Sequence, residues 1–321
     1  MDARCEICFI WFAVATDRFY LSTLASCVVI YSNDRKSGVV NSNERIDPHT
    51  GTKVHIVSAR QNRPNSPTTD CPFCVGGLEA ANQYLVKSIP NRWPALDSGV
   101  CEVVLYSSQH DASFASLGPT GIRRVIDLWA ERTEKLLQRD DIEYVLIFEN
   151  RGAEVGATIQ HPHGQIYAFD HVPARQHRLL SSPWTPDKDM GSREIISTKD
   201  FVSYTQFASI HPMSLVVAPH QRVASIQELS EAQRTGFAEI LHQIFSALDK
   251  LYSTPIPYMM WITQSPRSKN YNNPWLNMEI VSPWRAQNIP RYIAAAEVST
   301  EEYFNPVDPA DIAQRLRDLI I

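Results

Sequence analysis

The chain has 321 residues, 44% hydrophobic and 20% charged, with a net charge of −5 and a pI near 6.1. That length buries a sizeable core, in one large domain or two smaller ones. The charge excludes nucleic-acid attachment through bulk positive potential and leaves room for a local basic pocket that takes a small phosphate ligand. The composition is too apolar and aromatic for a disordered chain, and no uninterrupted apolar run is long enough for a spanning helix, so no membrane partner is expected. Six cysteines are too few for a disulfide scaffold. Two C-x-x-C pairs, Cys5/Cys8 and Cys71/Cys74, point to metal or redox chemistry, while Cys27 and Cys101 stand alone.

Residues 1–40 read as an atypical N-terminal extension. Two apolar runs, 7–16 and 19–31, are broken by Asp17-Arg18. A secretory signal needs a basic start and one apolar run, whereas Asp2, Arg4 and Glu6 give a mixed start. Cys5-Glu6-Ile7-Cys8 has no histidine partner nearby and reads as two ordinary thiols.

From Arg45 the pattern is mixed α and β. Residues 53–58 form a strand, and 60–70 a loop rich in Pro, Asn, Ser and Thr. Residues 101–107 form a strand, followed by a helix over 121–138 with Ile122, Val125, Ile126, Trp129, Leu136 and Leu137 as its apolar stripe. Strands follow at 144–148 and 164–169. The second half repeats the order: a strand over 214–218, a helix opened by the capping box Ser230-Glu231-Ala232-Gln233 and running to about Tyr252, then strands over 257–262 and 276–280. Phe148 to Trp261 is an offset of 113 residues, His110 to His220 of 110 and His161 to Asn277 of 116. This spacing predicts a duplicated strand–helix–strand–strand unit: residues 41–185 as one half and 186–321 as the other.

Asp70-Cys71-Pro72-Phe73-Cys74 is a tight knuckle whose two thiolates can share one tetrahedral ion. His110 and His161 supply the other two ligands of a Cys2His2 site, for zinc first and iron second. A four-ligand site is closed, so its role is structural. The densest chemistry lies in residues 148–166, FENRGAEVGATIQHPHGQI. On a strand, His161, His163 and Gln165 would share one face. A neutral imidazole is a good nucleophile near neutral pH, and attack on the α-phosphate of a nucleotide gives a phospho-imidazole intermediate. Gln165 can donate a neutral hydrogen bond to a phosphoryl oxygen. The glycine-containing loop 152–158 can bring backbone N–H groups and the Thr158 hydroxyl to the phosphates. By residue type Arg60 and Arg63 are reasonable phosphate clamps, the alternative being two solvated loop arginines.

Cys-Pro-Phe-Cys, His110, Phe-Glu-Asn-Arg-Gly and His-Pro-His-Gly-Gln-Ile together resemble the galactose-1-phosphate uridylyltransferase family of the histidine-triad superfamily. The likeness runs from about Arg45 to the C-terminus and is strongest up to residue 170. It implies an α+β fold: two histidine-triad-like halves, each an antiparallel sheet with a helix across it. It implies transfer of a uridylyl group from UDP-glucose to galactose 1-phosphate by ping-pong, with His163 as nucleophile and Gln165 on the uridylyl phosphate. His161 completes the zinc site with Cys71, Cys74 and His110. Arg60 and Arg63 match arginines near the phosphates and sugar, and Asn91 and Asn150 match asparagines at the nucleotide and phosphate. A homodimer is implied, and a reducing cytosol suits free thiolates on zinc.

The resemblance is incomplete in the second half. Some relatives hold a second metal with a glutamate and three histidines. Here Leu276-Asn277-Met278-Glu279-Ile280 stands where a His-x-His pair is usual, and 261–265 has no histidine, so no second metal is predicted. Pro290-Arg291-Tyr292-Ile293 stands where a Lys-Phe pair meets the sugar, which makes Arg291 the substrate-binding counterpart with a changed donor geometry. An adenylyl-type transferase or phosphorylase acting on an ADP-sugar or diadenosine polyphosphate is the alternative. A non-catalytic nucleotide-binding protein is a further one.

Overall fold

The computed structural model describes residues 43–62, 71–96 and 100–320. The N-terminal extension, with Cys5, Cys8 and Cys27, lies outside the described residues, as does Arg63. The strands are β1 (Glu44–Ile46), β2 (Lys53–His55), β3 (Lys87–Pro90), β4 (Cys101–Leu105), β5 (Tyr144–Arg151), β6 (His163–Phe169), β7 (Glu194–Ser197), β8 (Phe201–Thr205), β9 (Met213–Pro219), β10 (Tyr258–Thr263), β11 (Asn277–Ser282), β12 (Trp284–Ala286) and β13 (Ile289–Pro290). The α-helices are α1 (Gly118–Leu137), α2 (Ala174–Ser181), α3 (Glu231–Lys250), α4 (Ala295–Thr300) and α5 (Pro309–Arg317).

Nine strands form one sheet in the order β3-β4-β6-β5-β10-β11-β9-β8-β7, and every neighbouring pair is antiparallel. The order is nearly palindromic about the β5–β10 pair. Phe148 and Trp261 are direct partners across that central pair. Phe148 faces Gln165 on its other side, and Trp261 faces Glu279. With Phe148 and Trp261 as counterparts, Glu279 holds the register position of Gln165, and Asn277 that of His163. The 116-residue offset read between His161 and Asn277 is therefore two residues too long.

One face of the sheet is closed by helices. Val104, Ile147, Ile166, Leu215, Met260, Ile262, Met278 and Ile280 meet Ile122, Ile126 and Trp129 of α1 and Phe237, Leu241, Ile244 and Phe245 of α3 in one core. Each such side chain contributes roughly 1.5–3 kcal/mol by leaving water. The helices begin where their first turns are satisfied. α3 has the predicted capping box at Ser230 and Gln233. α1 starts three residues earlier than its apolar stripe suggests, because Pro119 fits the first turn.

The other face carries two smaller clusters. In the first half Ile89, Val103 and Leu105 pack with Phe73 and Ala80. In the second, Val202, Tyr204, Val216 and Ala218 pack under Trp184 and Met190. β5 runs three residues past its predicted end, since Tyr258 of β10 pairs as far as Arg151. β2 stops at His55, and a 3-10 turn over Ser58–Asn62 carries Arg60.

Candidate active site

The knuckle forms first from local chemistry. Cys74 N donates to Cys71 O at 3.2 Å and Gly77 N to Cys74 O at 2.8 Å. A Cβ on Gly77 would come within 2.6–2.8 Å of the carbonyl oxygens of Cys71, Pro72 and Cys74, so only glycine closes this turn. Cys74 Sγ lies 3.4 Å from His110 Nδ1 and 3.7 Å from His161 Nδ1. The ligand atoms of Cys71, Cys74, His110 and His161 all lie within 4.8 Å of one another. Ligand bonds of about 2.0–2.3 Å in a tetrahedron give edges in the same range, so the four residues fit one metal ion.

The surroundings agree with that fit. His161 is buried, and burial lowers its pKa, keeping the imidazole neutral as a ligand must be. His161 Nε2 donates to Ser107 O at 2.7 Å, which leaves Nδ1 available to a metal ion. Burial, followed by Cys71, pushes the Cys74 thiol up. A shared cation would reverse that repulsion.

His161 does not lie on the strand that carries His163 and Gln165. β6 begins at His163, and His161 precedes it and turns to the cysteines, while Pro162 O accepts Tyr106 N at 3.1 Å. The alternation holds from His163 onward: His163 and Gln165 are half-buried on the side away from the helices, whereas Gly164 and Ile166 are fully buried. His163 Nδ1 donates to His161 O at 2.7 Å, which fixes the tautomer and leaves the lone pair on Nε2. The Phe73 ring stands 5.1 Å from the His163 ring. Gln165 Oε1 accepts from Asn91 Nδ2 at 3.2 Å, so its amide NH2 is left to donate elsewhere.

Two cavities meet at His163, Gln165 and Thr158. One, of ≈ 260 Å³, is lined also by Arg60, Phe148, Asn150, Gly156, Ala157 and Tyr167. The other, of ≈ 340 Å³, is largely apolar and includes Phe73, Ile89, Asn91, Arg92, Trp93 and Ile159. The loop between β5 and β6 is held by Ala157 N donating to Gly152 O at 3.1 Å. It requires glycine at Gly152, where φ is +96° and a Cβ would strike Pro257 at 2.7 Å. The structure thus brings together Arg60, Asn91, Asn150, Thr158, His163 and Gln165, next to Cys71, Cys74, His110 and His161. Phe73, Trp93, Tyr106 and Glu149 were not singled out by sequence. Phe73 is the one with a visible signal, inside the Cys-Pro-Phe-Cys knuckle.

Arg291 is not brought to this group. It lines neither cavity, and its guanidinium is buried in an ion pair with Glu297 while Nε donates to Phe304 O at 3.2 Å. The second-half position also differs from a metal site. Glu279 is buried and accepts from Arg175 Nη2 at 2.8 Å, Gln206 Nε2 at 2.7 Å and Trp261 Nε1 at 3.0 Å. One carboxylate already holding three donors, with Asn277 as neighbour, does not fit a metal ion.

The fold is that of a uridylyltransferase: a solved uridylyltransferase structure matches with a TM-score of 0.77 at 24% identity, covering 86% of this chain and 98% of its own. Residues 80–173 match the galactose-1-phosphate uridyl transferase N-terminal domain, and residues 160–301 match the C-terminal domain. A galactose-1-phosphate uridylyltransferase of Thermotoga maritima is 31% identical over 85% of this chain and 97% of that relative. One of Streptomyces lividans is 34% identical over 71% of each. An ADP-glucose phosphorylase of Arabidopsis thaliana is 24% identical over 90% of this chain and 98% of that protein. The chain belongs to the galactose-1-phosphate uridylyltransferase family.

Proposed function

We propose that this protein is a hexose-1-phosphate uridylyltransferase that moves a uridylyl group from UDP-glucose to galactose 1-phosphate. His163 Nε2 attacks the α-phosphorus, and the bond from that phosphorus to the bridging oxygen breaks. Glucose 1-phosphate leaves with the bond's electron pair, and a uridylyl-His163 remains. A phosphate oxygen of galactose 1-phosphate then attacks the same phosphorus, and UDP-galactose leaves as the imidazole is released. Arg60 neutralises phosphate charge, and Asn150 and Thr158 add neutral donors. Gln165, aimed by Asn91, donates to the phosphoryl oxygen as its charge grows.

The observation that carries this reading is the His163 Nδ1–His161 O hydrogen bond beside two cavities that share His163 and Gln165. Cys71, Cys74, His110 and His161 would hold zinc, which as a closed four-ligand ion supplies rigidity and not Lewis acidity. It holds the residue whose carbonyl sets the nucleophile's tautomer. The division into halves 41–185 and 186–321, a homodimer and a reducing cytosolic setting belong to the same proposal. Exposed Tyr292, Val298 and Phe304 support a dimer, checked by sedimentation.

The test offers labelled UDP-glucose, ADP-glucose and diadenosine polyphosphate without acceptor. Label on His163 from UDP-glucose alone is the expected result, and His163→Ala takes none. Labelling from ADP-glucose instead would turn the reading toward a phosphorylase, which the Arabidopsis relative favours. No labelling from any donor refutes the enzyme.

A further inference from the structure

One buried acid has no part in this mechanism. Glu149 sits between Phe148 and Asn150 on β5, but strand alternation turns its side chain to the helix face, where it is 5% exposed. Tyr258 Oη on β10 donates to Glu149 Oε1 at 2.7 Å. Glu149 Oε2 and the Tyr106 hydroxyl are both buried without a formed hydrogen bond, though the hydroxyl lies near enough to act on the carboxyl. Orphans of this kind call for an explanation.

Tyr106 stands directly under the catalytic strand. Its backbone N–H holds Pro162 O, and its hydroxyl oxygen would be 2.0 Å from a Cβ at Gly164. Gly164 lies between His163 and Gln165, so the hydroxyl occupies the space beside the backbone that carries both. Only a glycine permits this approach. Burial pushes Glu149 up to about 7, with Tyr258, Arg151 and Tyr106 opposing and Asp249 adding to it. Arg151 does not compensate Glu149 fully, because it pairs with Asp249 at 2.6 Å. One O–H between Oε2 and Tyr106 would satisfy both orphans in either protonation state: the acid would donate when protonated, and the phenol when the acid is ionised.

We propose that Glu149 is a positioning residue that acts through Tyr106 to set the height of the His163-Gly164-Gln165 backbone against the substrate. This rests on the reading of His163 as nucleophile. The experiment is single-turnover labelling of His163 from UDP-glucose, with rate and amplitude measured separately. Glu149→Ala and Tyr106→Phe should each label about tenfold more slowly at full amplitude, the order expected for a small displacement of reacting groups. Their double variant should be no slower than the slower single one. Glu149→Gln, which keeps the shape and a donor, should stay within about twofold of the unmodified protein. Full-rate labelling by Tyr106→Phe, multiplied losses in the double variant, or loss of amplitude at an unchanged rate overturns the proposal, even where Glu149→Ala does not fold. An unmodified protein that never labels refutes the uridylyl-histidine reading itself, whereas one that labels alongside unaffected variants refutes only the role of Glu149.

Discussion

On the first half of the open sheet face, His163 and Gln165 border cavities of ≈ 260 and ≈ 340 Å³. On the second half, Glu279 holds the register position of Gln165 and is sealed by Arg175, Gln206 and Trp261. The strands beneath are nearly equivalent, so the backbone does not make the difference. The covering does. In the first half the cysteine knuckle and Phe73 cap one end of the face and leave space over β6. In the second, Trp184 and Met190 pack onto Val202, Tyr204, Val216 and Ala218. The open space lies where the sheet is left uncovered beside His163.

The largest expected effect comes from removing what anchors that imidazole. Cys74→Ser breaks the four-ligand set, whose binding free energy in comparable structural sites is about 10 kcal/mol, close to the whole stability of a domain. Metal content should fall well below one ion per chain, and His163 labelling should be lost with it. Full labelling by metal-free protein would detach the cluster from the nucleophile. Gln165→Ala comes next. It leaves the fold intact and should slow labelling by about 10²–10³, as loss of one donor to a developing oxyanion does, with amplitude and melting temperature unchanged.

Much of this comparison was legible in the sequence. α1, α3 with its cap, β5 and β6 follow from local periodicity, and the knuckle follows from ligand spacing. The departures arise from partners far apart in the chain. His161 stands before the strand and turns its ring to Cys74, 87 residues before it. Arg291 is drawn into a buried pair with Glu297, and no spacing rule marks that pairing. Tyr106 is seen to matter only once β4 and β6 are paired and its hydroxyl reaches Gly164. Glu279 gains Arg175 across 104 residues, and only the assembled sheet puts them together.

Two of the buried acids offer a third contrast, since Glu149 has no cation of its own and Glu279 has Arg175. Glu149 titrates at about 7 in the folded protein against 4.5 ordinarily. Between those values the unfolded chain has released a proton that the folded protein retains, so stability falls as pH rises from 4.5 to 7 and levels off above. The loss is about 3 kcal/mol. Glu149→Gln removes it, so chemical denaturation should show the variant gaining on the unmodified protein between pH 5 and pH 8. Parallel pH profiles would show that Glu149 is ionised throughout.

The smallest effect tests whether the second half is only scaffold. Arg175 is half exposed while Glu279 is 5% exposed, so water screens the pair from one side. A fully buried pair broken on one side costs about 3–5 kcal/mol. Exposure of the guanidinium brings this nearer to the surface value of about 1 kcal/mol. Gln206 and Trp261 still donate to the carboxylate, which limits the loss further. Arg175 also lies over the Trp261 ring, 5.0 Å from its centroid, a contact that goes with it. Arg175→Ala should therefore lower the melting temperature by a few degrees, the shift about 1 kcal/mol produces, and leave the rate and amplitude of His163 labelling untouched. A slower rate at full amplitude would mean that the sealed half, through β11, β10 and β5, also sets the position of the working one.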